Sequence, residues 1–121
     1  TVVIAHPDGS MREYLDSLAL LKNYVFNRIA PGHGDFLGDP FAVVDWIIAH
    51  RLERESKVVT KLKLLSSCNS DTLVKEVYDD VDAKLHPIAL WSLEAHLKKL
   101  ADDQITAFDT VSKTWSLNHN L

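Results

Sequence analysis

The sequence predicts a mostly helical α+β fold, and three observations indicate it. Residues 1–5 are an apolar run typical of a buried strand, and a strand–helix–strand order continues to about residue 30. Apolar residues then recur at helical spacing between residues 40 and 100. Two short strand candidates, 105–108 and 114–117, are joined by a polar turn near the end of the chain. The first part is therefore typical of an α/β layered sheet, and the rest of a small helical domain.

The first helix is predicted to begin at Ser10. The side chains of Ser10 and Glu13 form a capping box that satisfies free amides at a helix start. One face of this helix is apolar and carries Met11, Tyr14, Leu15, Leu18 and Leu21. Because a lone strand at residues 1–5 leaves backbone groups unpaired, we expect its sheet partners to lie upstream of Thr1.

A long helical segment is predicted to begin at Asp39-Pro40, with Asp39 as the cap. Its apolar positions run from Phe41 to Leu52 and resume from Val58 to Leu65. This is either one long helix or two abutting helices, with the polar stretch 51–57 between two domains. We place these domains at residues 1–55 and 56–121.

The second domain is predicted to contain three helices and a hairpin. Ser70 or Asp71 caps its second helix, and His86-Pro87 starts its third. The inner face of the second helix is expected to carry Leu73, Val74, Val77 and Tyr78, and that of the third Ile88, Trp91, Leu93, Leu97 and Leu100. Three helices followed by a hairpin describe a winged-helix domain.

The sequence supports specific predictions for four residues of the second half. Trp91 and Trp115 are expected to anchor the core, and His96 to face the polar side of the third helix. Cys68 is expected in a loop without an activating partner. Trp46, on the long helix, is expected to pack against the first domain.

Composition excludes several classes of protein. The single cysteine allows no intrachain disulfide and no cysteine-rich zinc module, which favours a reducing, cytoplasmic compartment. No signal peptide and no apolar run long enough to span a bilayer are visible, so no membrane partner is expected. From Ser56 onward the sequence contains eight Lys and nine Asp or Glu. Because this region has no excess of positive charge, DNA binding is disfavoured.

The loop 31–35 is the most informative stretch for chemistry. Gly32 and Gly34 flank His33, so the backbone can turn sharply and present the imidazole at a sheet edge. Neutral imidazole is a good zinc ligand, and Asp35 could orient it. From local spacing alone, a loop histidine without a ligand is the favoured interpretation, because one His is weak metal evidence.

An ordered set of motifs resembles the metallo-β-lactamase superfamily, in the branch with an appended C-terminal winged-helix domain. The motifs extend across nearly the whole chain: Thr1-Val2-Val3-Ile4-Ala5, Pro7-Asp8-Gly9, Met11, Tyr14-Leu15-x-Ser17-Leu18, Ala30-Pro31-Gly32-His33-Gly34, His50-Arg51-x-x-Arg54-Glu55, Leu85-His86-Pro87 and Ala95-His96-Leu97-x-Lys99-Leu100. The resemblance implies the end of an αββα metallo-hydrolase domain followed by a winged-helix domain.

The resemblance also implies a metal site. In such proteins a His-x-His-x-Asp-His motif and further His and Asp residues, all in an upstream catalytic part, supply most ligands of a two-metal site. The resemblance implies that the metal is zinc and that the loop holding His33 supplies the last ligand. His33 is thus the expected metal ligand. No catalytic residue is expected within the present sequence, which alone should be inactive and hold no zinc, because a catalytic zinc site needs three protein ligands.

Three residues of the long helix are candidates for the substrate rim. His50 and Arg54 share one helix face, and Arg51 and Glu55 share another. They either contact a substrate phosphate and close the active-site rim, or form ion pairs between the domains, which is the favoured interpretation.

The sequence therefore predicts the C-terminal part of a metal-dependent hydrolase, with a missing N-terminal catalytic part as its main partner. An ester, a thioester or RNA is the expected substrate class, and a homo-oligomer is compatible with the sequence. The alternative is a stand-alone winged-helix module that binds nucleic acid or protein.

Overall fold

The computed structural model describes residues 10–21 and 40–118. In these ranges four helices and one small antiparallel sheet follow one another, which confirms the mostly helical α+β prediction. The elements are α1 (Met11–Leu21), α2 (Pro40–Leu65), β1 (Ser67–Cys68), α3 (Ser70–Val77), α4 (His86–Asp102), β2 (Thr106–Asp109) and β3 (Thr114–Leu117). The predicted strands at 1–5 and 25–30 and the loop 31–35 lie outside the described residues.

Helix α1 begins as its capping box predicts. The Glu13 amide donates to the Ser10 hydroxyl oxygen over 3.4 Å. Met11 is fully buried against Ala95 of α4, with Tyr14 and Leu15 packed beside them. Helix α1 is therefore held against α4.

Helix α2 is one continuous helix of 26 residues. It passes through residues 51–57 without a break, so the prediction of one long helix is confirmed over two abutting ones. It packs against both α1 and α3. The domain boundary after residue 55 stays a prediction, since the helix crosses it.

The main core lies between α2, α3 and α4. Val58 and Leu62 of α2 are fully buried against Leu93 and Leu97 of α4. The predicted inner face of α3 is also buried: Leu73, Val74, Val77 and Tyr78. Its cap is Asn69 rather than Ser70 or Asp71, because the Asn69 Oδ1 accepts from the Thr72 amide over 2.8 Å.

Helix α4 begins at His86 with Pro87 in its first turn, as predicted. The expected core role of Trp91 is wrong, since this side chain is 54% exposed, and Ile88 is 45% exposed. Two residues along a helix correspond to a rotation of about 200°. Burial of Leu93 therefore turns Trp91 to the opposite side.

The three-stranded sheet has the order β1-β3-β2. Strands β2 and β3 form the predicted hairpin, with Phe108 opposite Trp115. Strand β1 pairs antiparallel with β3 and places Cys68 opposite Trp115. The expectation that Cys68 lies in a loop is wrong, because its two-residue strand forms only through this distant partner. Trp115 is half-buried against the core, consistent with its expected role.

No helix in residues 10–21 or 40–118 has the length and apolar character needed to cross a membrane.

Candidate functional site between α2 and α4

A cavity of about 280 Å³ lies between α2 and the start of α4. It brings together the three predicted rim residues of the long helix, His50, Arg51 and Arg54. The other two predicted site residues, His33 and Asp35, lie outside the described residues. Their metal role therefore stays a prediction.

The cavity has a polar and an apolar side. Its polar lining consists of His50, Arg51, Arg54, Tyr78, Ser92 and His96. Its apolar lining consists of Val81, Leu85, Ile88 and Ala89. The lining thus combines two guanidinium groups and two imidazoles with a hydrocarbon wall, an arrangement typical of small-molecule sites.

Beneath the cavity, a buried polar network joins α2 to α4. The Glu55 carboxylate accepts from His96 Nδ1 over 3.0 Å and from Lys99 Nζ over 2.7 Å. His96 is 0% exposed, so the expectation that it faces the polar side of its helix is wrong. A buried carboxylate is stable only when paired, and here both partners come from one face of α4.

The protonation states of this network follow from its surroundings. Burial by itself would raise the pKa of Glu55, but the hydrogen bonds from His96 and Lys99 outweigh burial and lower that pKa. Burial lowers the pKa of His96 by more than its bond to Glu55 raises it. Glu55 is therefore charged and His96 neutral at pH near 7.

The neutral state fixes the tautomer of His96. Because a charged carboxylate only accepts, Nδ1 must carry the proton that it donates to Glu55. The other ring nitrogen, Nε2, then presents a lone pair. This atom is buried and has no hydrogen-bond partner among the described residues. His96 thus contributes an unfilled acceptor to the cavity lining.

Arg54 is held in one orientation by three groups at the end of α3. Its guanidinium makes paired bonds of 2.8 and 3.2 Å to the Asp80 carboxylate and a 2.8 Å bond to the Val77 carbonyl. The same group lies 4.5 Å above the Tyr78 ring. Despite burial, which alone would lower it, the pKa of Arg54 is raised by the bond to Asp80.

His50 and Arg51 are each placed against an aromatic ring. The His50 ring stacks on Trp46 with centroids 5.1 Å apart, and the Arg51 guanidinium carbon lies 5.3 Å above Tyr14. Trp46 remains 60% exposed, and its expected packing against the first domain stays a prediction. His50 and Arg51 both line the cavity.

Sequence reasoning missed the central pair of the site. Glu55 and His96 are 41 residues apart, and no local periodicity connects them. The sequence did offer one signal for this pair. His96 and Lys99 lie three residues apart on one helix face, and burial of this face requires a carboxylate to pair with them. Within the described ranges, no three His, Cys, Asp or Glu side chains cluster in a way that could hold a metal ion.

Comparison with known proteins agrees with this architecture. Residues 70–115 match the family model described as the beta-lactamase associated winged helix domain. The chain is 32% identical over 95 residues to the Beta-lactamase-like protein 2 homolog of Caenorhabditis elegans, covering 78% of this chain and 32% of that protein. It is 31% identical over 90 residues to the homolog of Drosophila melanogaster, covering 73% of this chain and 31% of that protein.

Helices α3 and α4, the small sheet and the family match define a winged-helix domain that follows the long helix α2. This is the C-terminal winged-helix region associated with the metallo-β-lactamase superfamily, as the sequence motifs indicate. The chain spans about a third of the length of the curated relatives it matches.

Proposed function

We propose that this chain is the C-terminal part of a cytoplasmic, metal-dependent hydrolase with zinc as its metal. In this proposal His33 is a ligand of the second metal and Asp35 orients it. The winged-helix domain packs against the catalytic part and lines the substrate rim with His50, Arg51 and Arg54. The substrate class is an ester, a thioester or RNA.

The observation that carries the proposal is the similarity to the two beta-lactamase-like proteins. It extends over about three quarters of this chain but only a third of each relative. The remaining two thirds of such a protein provide room for a separate catalytic part. The buried bonds from Glu55 to His96 and Lys99 support a fixed geometry between the long helix and the winged helix.

The described residues do not fit a metal site of their own, since no suitable ligand cluster is present among them. We therefore assign no chemical step to them. Their role in the proposal is to line the substrate rim, where the Arg54 guanidinium is held in place by its bonds to Asp80.

The alternative role of a DNA reader is disfavoured by the cations of α4. Lys99 is paired with the buried Glu55 and lies 3.5 Å from Asp103, and Lys98 is 3.6 Å from Asp102. A helix that reads the major groove needs lysine or arginine side chains directed at phosphates. Here each of these two lysines is paired with a carboxylate.

The test uses a full-length protein that includes the sequence upstream of Thr1. We expect it to retain about two metal ions per chain after desalting, and the 121-residue chain to retain none. In the full-length protein, His33→Ala should lose about one metal ion and nearly all turnover of thioester and RNA substrates. Metal analysis by mass spectrometry and single-substrate kinetics measure the two effects.

The control variant is His6→Ala, because the motifs assign no metal role to His6. It should keep both metal content and turnover. If His33→Ala behaves like this control, His33 is not a ligand and the proposal fails.

A further inference from the structure

One buried nitrogen in the cavity between α2 and α4 lacks a hydrogen-bond donor. His96 lines this cavity, and its Nε2 atom has no hydrogen-bond partner among residues 10–21 and 40–118. The Glu55 carboxylate accepts from the other ring nitrogen and is already paired with Lys99. A second proton on the ring would therefore add an uncompensated positive charge to a buried network. The ring stays neutral, and Nε2 is the atom that accepts.

The charged groups of the lining are already engaged within the protein. The Arg54 guanidinium binds both oxygens of Asp80 and the Val77 carbonyl. Arg51 also has interactions of its own, which include the contact with the Tyr14 ring. An anion would have to compete with these partners, and a cation would lie beside two guanidinium groups. The lining therefore favours an uncharged ligand.

The volume of the cavity and its apolar wall determine which carbon skeleton it accommodates. The volume of about 280 Å³ is close to the lower limit of about 300 Å³ for drug-sized sites. The apolar wall consists of Val81, Leu85, Ile88 and Ala89. In other proteins an apolar cavity of about 150 Å³ binds one benzene molecule. The present cavity therefore has room for a six-carbon ring with one polar substituent.

A hydroxyl group matches the polar side chains beside this wall. Ser92 lies one turn before His96 on α4, so the two side chains share one helix face, and both line the cavity. A ligand hydroxyl donates through its hydrogen and accepts through its oxygen. It can therefore donate to His96 Nε2 and accept from the Ser92 hydroxyl at once. A buried acceptor without a donor destabilises the protein, so a ligand that supplies the donor gains affinity.

We propose that this cavity binds a small uncharged hydroxyl compound, an alcohol or a phenol with a compact skeleton of about six carbons. The hydroxyl donates to His96 Nε2, and the skeleton packs against Leu85, Ile88 and Ala89. The site requires no metal ion, and its test measures binding rather than turnover. Failure of the metal proposal above would therefore leave this one standing, and the reverse also holds.

The experiment uses the full-length protein, which includes the sequence upstream of Thr1. This protein is titrated with phenol and with fluorobenzene, which are similar in shape and differ in the hydroxyl group. Both are uncharged at about pH 7, since a phenol ionises near pH 10. We expect phenol to bind at least about tenfold more tightly, because only phenol supplies the donor. Fluorobenzene is the more hydrophobic compound, so a cavity without this acceptor would bind it at least as tightly.

Two matched variants of the full-length protein locate the binding. Ala89→Leu fills part of the cavity and should weaken phenol binding by at least about tenfold. Ala107→Leu makes the same substitution at an exposed position of β2 and should change phenol binding by less than about twofold. Far-UV circular dichroism checks that both variants are folded.

Nitrogen-15 spectra of the unaltered, histidine-labelled protein decide the matter even if Ala89→Leu does not fold. A shift of the His96 Nε2 resonance with phenol, and not with fluorobenzene, would support the contact. Equal affinity for the two compounds, or a phenol complex that leaves this resonance unchanged, would overturn it. Absence of phenol binding up to about 10 mM would overturn the site itself.

Discussion

The Nδ1 atom of His96 on α4 lies 3.0 Å from the Oε2 atom of Glu55 on α2, in a region where His96 has no solvent exposure. The second oxygen of the same carboxylate binds Lys99. One buried acid thus joins the long helix to the winged helix through two side chains of one helix face. The relative position of α2 and α4, and with it the shape of the cavity, depends on this acid.

Replacement of Glu55 should therefore be costly. Glu55→Ala leaves the His96 Nδ1 hydrogen without its acceptor and Lys99 with the longer 3.5 Å contact to Asp103. Loss of one partner of a buried ion pair costs about 3–5 kcal/mol. Urea denaturation of the two proteins measures the difference in the free energy of unfolding. The matched control is Asp102→Ala. Among the described residues the Asp102 carboxylate pairs with the exposed Lys98, so this substitution should cost less than about 0.5 kcal/mol. Equal losses in both variants would contradict the role of the buried pair.

Acid should lower the free energy of unfolding of the domain in two stages. The folded-state pKa of His96 is lowered from 6.5 by burial, against the raising effect of Glu55, with Arg51 and Lys99 lowering it further. Below about pH 6.5 the unfolded chain therefore binds more protons at this residue than the folded chain, and the free energy of unfolding falls. The folded-state pKa of Glu55 is lowered from 4.5, so the stability that Glu55 contributes is lost as the pH falls below that value.

Each extra proton that the unfolded chain binds changes the free energy of unfolding by at most about 1.4 kcal/mol per pH unit. Urea denaturation between about pH 4 and pH 8 measures this slope. His96→Gln should remove the upper stage, while the bond from Lys99 to Glu55 maintains part of the lower one. An upper stage of full size in His96→Gln would assign it to another group. Nitrogen-15 spectra provide a direct reading, since the folded His96 ring should take up its proton at a lower pH than the same residue in the unfolded chain.

Local signals predicted the starts of α1 and α4 and the hairpin. Ser10 and Glu13, and His86-Pro87, act within one turn of the helix that they start. The hairpin from Thr106 to Leu117 is likewise visible as two short segments joined by a polar turn. These elements depend on neighbours in the sequence, so the sequence alone suffices for them.

The features that the sequence did not predict depend on contacts between residues far apart in the chain. Strand β1 contains two residues and forms only by pairing with β3, which is about fifty residues later. The rotation of α4 could not be assigned because His96 counts as polar until Glu55 is placed beside it. The same holds for the cavity, whose lining comes from α2, α4 and the segment between α3 and α4.

The orientation of α4 can be tested with two of its large side chains. Trp91 is more than half exposed, so Trp91→Ala should change the free energy of unfolding by less than about 1 kcal/mol. Leu97 is fully buried in the main core, so Leu97→Ala should cost about 2–5 kcal/mol. Thermal or urea denaturation of both variants measures the contrast. A large loss for Trp91→Ala with a small one for Leu97→Ala would mean that the helix is rotated by half a turn.

Arg54 is expected to stabilise the domain through geometry as much as through charge. Its planar guanidinium binds both oxygens of Asp80 and the Val77 carbonyl while it stacks on Tyr78. A lysine retains the charge but cannot make these contacts together, so Arg54→Lys should cost about 1–2 kcal/mol in the free energy of unfolding. Lys61→Arg is the matched control, because Lys61 approaches Glu76 only to 3.8 Å, and its effect should stay within about 0.5 kcal/mol. If Arg54→Lys is as stable as the parent chain, positive charge alone accounts for the contribution of this residue, and the paired bonds to Asp80 add nothing measurable.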